Sequence, residues 1–234
     1  GPFCFIDKNV EIGDNNVLMN SVSVLYGARI GNGNVIFPGA VISAVPQDLK
    51  FRGEDTTAEV GDNNKIRENV TINRGTAAKG KTCVGSGNLL MESVHVAHDA
   101  FVGNDCIIGN GTKLAGEIII DDHAIISANV LMHQFCRVGG YMVGGGTRFS
   151  QDIPPYTICA REPVAYCGLN LVGLRRRGFS NELIENIHNA YRIIYQGGGP
   201  LNEALQKVRE EVPASPEINY IIEFIENSKR GFVH

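Results

Sequence analysis

Large aliphatic residues recur at every sixth position of this chain. Counting from Ile6, the series runs Ile6, Ile12, Leu18, Val24, Ile30, Ile36 and Ile42, then resumes at Val60, Ile66 and Ile72. It continues from Val84 through Leu90, Val96, Val102, Ile108, Leu114, Ile120, Ile126 and Met132 to Val138. Of 23 such positions only Asp48, Glu54 and Ala78 fail. Glycine follows the aliphatic residue at Gly13, Gly31, Gly61, Gly85, Gly103, Gly109 and Gly139, usually with Asn or Asp next. This is a short strand and a turn repeated, with one inward side chain per repeat and turns that need residues tolerant of positive φ.

Three repeats close a triangular coil of about 18 residues. Stacked coils pair backbone to backbone at ~4.8 Å and bury one continuous aliphatic column. The expected architecture is mainly β, a parallel β-helix of hexapeptide repeats. Known examples of that fold wind left-handed, which is carried over here from the fold and not from the period. The segments 43–59, SAVPQDLKFRGEDTTAE, and 73–83, NRGTAAKGKTC, interrupt the ladder and read as loops extruded from the prism. Loops on a rigid scaffold often carry function. After QDIPPYTI (151–158) the apolar spacing becomes helical, at Leu183, Ile184, Ile187, Tyr191 and Ile194, with Ser180 as N-cap. Pro200 at a first helical position opens a second helix, and Ser215 caps a third that runs to a basic last turn and Gly231. The prism is expected over 1–160, with a linker and three short helices over 161–234 covering its open end.

Composition narrows the classes. With 21 basic and 25 acidic residues the net charge is −4, which argues against nucleic-acid binding driven by bulk charge. The six cysteines, Cys4, Cys83, Cys106, Cys136, Cys159 and Cys167, form no CxxC pair and fit reduced thiols in a cytoplasmic protein. No apolar run is long enough to span a membrane, and no signal peptide is visible. The chain opens GPFCFI without Met, leaving open whether native residues precede Gly1.

Candidate chemistry lies in SVHVAHDAFVGND, 93–105, where His95, His98 and Asp99 interrupt a strand-like alternation. One coil of eighteen residues sets Gly116 against His98, and Glu117 against Asp99. An imidazole beside an acid, under a glycine whose N–H a ligand could reach, has the parts of an acyl-transfer site: base, orienting carboxylate, oxyanion donor. Two other readings stand beside it. His98 and Asp99 could be solvated outer-face residues, or His95 and His98 could bind a metal with His133 of a neighbouring chain. His123 and His188 read as surface or partly packed residues, and His234 as a terminal one.

The ordered strings NLLMESVHVAHDAFVGN, LAGEIIIDDHAII, HQFCRVGG, QDIPPYTI and GLNLVGLRRRGFS resemble bacterial UDP-N-acetylglucosamine acyltransferases, along the whole chain. The resemblance implies a homotrimer of parallel prisms with active sites between subunits. It also implies transfer of an (R)-3-hydroxyacyl chain from the 4′-phosphopantetheine thioester of acyl carrier protein to the glucosamine 3-hydroxyl of UDP-N-acetylglucosamine. This is the first step of lipid A synthesis; no metal or other cofactor is implied. His98 matches the general base, Asp99 its orienting acid and Gly116 the oxyanion donor. Asp48 and Lys50 match residues that contact the sugar nucleotide, and His95 and His133 match other cleft histidines. Gln134, Asn170 and Arg177 match groups recognising the nucleotide, and Arg176 a group near the phosphopantetheine end. Gly146 matches the position that sets acyl-pocket depth, where glycine leaves the channel open for a long chain.

The chain departs from the family pattern at Glu117, where a histidine often follows the oxyanion glycine, at Asn73 in TINRG, and at Val172. The run Arg175, Arg176, Arg177, with Arg161 nearby, would steer an acidic carrier protein. The rival readings on the same prism are a zinc hydratase of the γ-carbonic anhydrase type, a non-enzymatic β-helix, and a related acyltransferase with a different amine or amino sugar.

Overall fold

The computed structural model describes residues 1–145 and 147–234. The ladder folds into three faces of eight, seven and nine strands among the described residues, parallel throughout except for the last strand of the third, wound as a left-handed parallel β-helix. The first face starts at Phe5–Ile6 and includes His95–Val96. The second starts at Glu11–Ile12 and includes Phe101–Val102, and the third starts at Val17–Leu18. Most pairings join residues eighteen apart, such as His95 with Lys113 and Phe101 with Ile119. The ladder side chains Ile36, Ile42, Ile66, Ile72, Leu90, Ile108, Leu114 and Ile120 are fully buried in one column. Burial of each stabilises the fold by roughly 1.5–3 kcal/mol.

The corners work differently from what the glycine pattern suggests. Away from the two excursions, positive φ falls on the third residue after the aliphatic one, at Asn9, Asn15, Asp99, Glu117 and Asn129 among others. The glycine directly after the aliphatic residue is there for space: a Cβ at Gly13 would lie 2.5 Å from the Asn32 side-chain oxygen of the next coil. At a neighbouring position buried asparagines stack, the Asn64 N–H donating to Asn34 at 2.9 Å and the Asn88 N–H to Asn64 at 2.8 Å.

Both extruded segments leave at the corner between the first and second faces. They are shorter than the polar stretches, because the strands Val41–Ala44, Thr57–Val60, Thr71–Asn73 and Lys81–Val84 extend into them. The loops proper are 45–56 and 74–80. Across the first, Val41 pairs with Thr71, an offset of thirty; across the second, Thr71 pairs with His95, an offset of twenty-four. Each excursion therefore adds a whole number of hexapeptides and leaves the ladder in phase.

The third face ends in an antiparallel hairpin, Thr157–Ala160 with Ala165–Leu169. Four helices follow instead of three: α1 (Leu171–Arg176), α2 (Asn181–Gln196), α3 (Leu201–Glu211) and α4 (Pro216–Glu226). Helix α1 is short, contains Gly173 and has no acidic first turn, so its spacing shows little; the Asn170 side chain caps it by accepting the Gly173 N–H. Ser180 and Ser215 cap α2 and α4 as expected, whereas Pro200 is the N-cap of α3, one residue before its first turn. Helix α4 stops at Asn227, short of Gly231, because the next residues return to the prism. Ser228 Oγ donates to Asp152 at 2.7 Å, and Val233, fully buried, joins the prism column. The helices have an apolar core of their own with Tyr156 and Leu169. They also grip the flank of the prism, where Tyr191 donates to the Pro155 carbonyl and the Gly140 N–H to Tyr220. Among the described residues, no helix is long and apolar enough to cross a membrane.

Candidate active site

The corner between the first and second faces gathers the chemistry. His98 follows the strand His95–Val96, Gly116 follows Lys113–Leu114, and Gln134 follows Leu131–Met132, so the three occupy one column in successive coils. The Glu117 N–H donates to the His98 carbonyl at 3.0 Å, and the Phe135 N–H to that of Gly116 at 3.3 Å. His98 and Asp99 are buried, at 9% and 1% exposure, which excludes their being solvated outer-face residues. A Cβ built on Gly116 would sit 2.6 Å from both Cε1 and Nε2 of the His98 ring. Position 116 has no positive φ, so glycine is required here by the imidazole and not by the backbone.

Asp99 organises the ring. Its Oδ2 accepts from His98 Nδ1 at 2.8 Å. An ionised carboxylate can only accept, so the proton belongs on Nδ1 and Nε2 keeps its lone pair, the tautomer a general base needs. Among the described residues the Gly116 N–H has no protein acceptor, which leaves it free for an oxyanion.

The loop 74–80 closes over this carboxylate. Thr76 donates to Asp99 twice, from Oγ1 to Oδ2 at 2.6 Å and from its N–H to Oδ1 at 2.9 Å. The Lys79 N–H adds a bond at 3.2 Å, and Thr82 Oγ1 accepts from the Asp99 N–H at 2.8 Å. None of Thr76, Lys79 and Thr82 stands out in the sequence. The signal that could have found them is the offset of twenty-four, which sets Gly75 below Asp99.

The remaining candidates divide between two corners. His95 lies on the outer side of the first face, its Nδ1 bonded to Thr71 Oγ1 at 2.7 Å. Burial lowers its pKa, with the nearby Lys113 and His98 acting in the same direction. His133 is exposed, Nδ1 against the Gln134 carbonyl at 3.0 Å. Asp48 and Lys50 belong to the loop 45–56, two excursion-bearing coils below His98; the Asp48 carboxylate accepts the Lys50 N–H at 2.9 Å. Asn170 and Arg177 lie at the corner between the second and third faces. Asn170 donates to the Tyr141 carbonyl at 2.9 Å. Arg177 meets His123 Nδ1 at 2.8 Å and covers the Tyr141 ring at 5.4 Å, so His123 is partly packed, as expected, and is a partner of Arg177. Arg176 is exposed on α1. A single chain thus brings His98, Asp99, Gly116 and Gln134 together and keeps Asn170 and Arg177 at another corner. Gly146 lies outside the described residues.

The fold together with its likeness to known proteins defines a class, the β-helical O-acyltransferases. Residues 152–233 match the second domain of UDP-N-acetylglucosamine O-acyltransferases. A UDP-N-acetylglucosamine acyltransferase from Bacteroides fragilis is 71% identical, with a TM-score of 0.97 over 100% of this chain and 92% of that one. The enzymes from Francisella novicida and Moraxella catarrhalis are each 39% identical with TM-scores of 0.96 over 100% of this chain, covering 86% and 92% of theirs. The chain belongs to the UDP-N-acetylglucosamine O-acyltransferase family.

Proposed function

We propose that this enzyme moves an (R)-3-hydroxyacyl group from acyl carrier protein to the 3-hydroxyl of UDP-N-acetylglucosamine, in the first step of lipid A synthesis. His98 Nε2 takes the proton of the sugar hydroxyl as that oxygen attacks the thioester carbonyl. Asp99 holds the ring and balances the imidazolium that forms. The Gly116 N–H receives the carbonyl oxygen as it becomes an oxyanion, and the protonated His98 returns its proton to the leaving thiolate of the phosphopantetheine arm. The hydroxyl attacks directly, so no serine or cysteine nucleophile is required, and the chemistry needs no metal. Asp48, Lys50, His95, His133 and Gln134 hold the sugar nucleotide from the His98 side of the cleft.

Asn170, Arg176 and Arg177 complete the same cleft from a second chain. Their position at a different corner supports a homotrimer, as do the exposed Phe101, Leu131 and Phe135 around the His98 corner. The six cysteines are all free, which suits a cytoplasmic enzyme.

The observation that carries the mechanism is the contact of Gly116 with a carboxylate-held imidazole. It is tested by acyl transfer from 3-hydroxyacyl carrier proteins to UDP-N-acetylglucosamine, wild type against His98→Ala. Loss of the base lowers the rate by about 10²–10⁴-fold. A variant that retains its rate removes His98 from the chemistry.

A further inference from the structure

We propose that Thr76 is a positioning residue for acyl transfer, fixing the Asp99 carboxylate so that its Oδ2 is presented to His98. The inference rests on the reading of His98 as base and Asp99 as its orienting acid, and assigns a task to the loop 74–80.

Asp99 Oδ2 has two donors, His98 Nδ1 at 2.8 Å and Thr76 Oγ1 at 2.6 Å. Its other oxygen, Oδ1, accepts the backbone N–H groups of Thr76 and Lys79. Four donors around one planar carboxylate leave it no freedom to rotate, and Asp99 is 1% exposed, so water does not compete for these bonds. The Thr76 hydroxyl is itself oriented, since its oxygen accepts the Ala78 N–H at 3.2 Å and its proton is therefore directed to Asp99. Thr76 touches neither reacting atoms nor the imidazole and acts on the base only through Asp99. Without the hydroxyl the carboxylate keeps its Oδ1 bonds but can swing about them, and the His98 ring swings with it.

The second excursion thus belongs to the machinery of the base and not to the general wall of the cleft. It also explains why Asp99, at a turn position with positive φ where asparagine is common in this chain, is an aspartate: an amide would set a donor against one of these four donors.

The test uses the full-length enzyme, with kcat, both KM values and melting temperature measured for Thr76→Val, Thr76→Ser and Thr76→Ala, alone and combined with His98→Ala. Thr76→Val is expected to lower kcat about tenfold, the size of one lost hydrogen bond to a charged group, with both KM values within about twofold. Thr76→Ser restores the rate. In the His98→Ala background Thr76→Val has no further effect on the residual rate, because there is no ring left to position. An equal loss in both backgrounds, a change in KM alone, or failure of serine to rescue overturns the proposal. If Thr76→Val does not fold, the same coupling is read from Thr76→Ala. Should His98→Ala itself keep full activity, the reading of the base fails, independently of Thr76.

Discussion

Gly116→Ala separates steric from backbone reasons for a glycine. The added methyl would stand 2.6 Å from Cε1 and Nε2 of His98, where ordinary contact begins at 3.4 Å, so the two groups must part by about 0.8 Å. The ring cannot recede freely, because Nδ1 is tied to Asp99 at 2.8 Å and Asp99 is tied to the loop 74–80. Overpacking of this kind costs about 1–3 kcal/mol of stability. A displacement near 1 Å of a catalytic group costs about 10²-fold in rate. The backbone at 116 is open to any residue, so removal of the clash reverses the sign. In a His98→Ala background, Gly116→Ala should stabilise by about 0.4–1 kcal/mol through the unfolded chain. Urea unfolding of the four proteins of this cycle, with acyl-transfer rates for the two that retain His98, measures both effects. Equal stability and activity of wild type and Gly116→Ala would refute the stacking of ring on glycine. A destabilisation that persists without His98 would show that glycine serves the backbone after all.

Two further outcomes follow from the site. If Asn170 and Arg177 serve a neighbour's His98, inactive His98→Ala and Arg177→Ala chains refolded together should regain part of the activity, since some clefts then combine two intact corners; no recovery above the separate variants would place the site within one chain. His95 has a pKa lowered by burial, so the folded state binds its proton less readily than the unfolded chain, whose value is near 6.5. The resulting stability is present above about pH 6.5 and is lost as pH falls through the lowered value, and His95→Gln should flatten that acid-side slope in urea titrations. An identical slope in the variant would remove His95 as its source.

The period of six exposes the coil, the buried column and the stacking of position 116 on position 98, because each depends on counting alone. It hides what depends on offsets. The loop 74–80 reads as polar filler in sequence, yet its hydroxyl and amides enclose Asp99, and only the added six residues bring them there. His123 reads as a surface or partly packed histidine, and its contact with Arg177 joins a corner turn to a residue fifty-four positions away, beyond the reach of any local pattern. The glycines of the repeat were legible as turn markers, but the φ they seemed to supply belongs two residues later. Their real constraint, the oxygen of the next coil, is a contact between layers. Helix α1 is hard to read in the sequence because six residues with Gly173 among them and no acidic first turn show little helical spacing.

The phase-preserving excursions divide the labour of adaptation. Because Ala28 pairs with Ala58 and Val41 with Thr71 whatever lies between, the column is indifferent to the content of residues 45–56. That segment can drift, lengthen or be exchanged to suit a new nucleotide sugar, with the spiral as an inert chassis. Residues 74–80 have less licence, since the Thr76 hydroxyl and the Thr76 and Lys79 N–H groups hold the buried Asp99 carboxylate. Divergence among enzymes of this build should therefore run ahead in the first excursion and lag in the second.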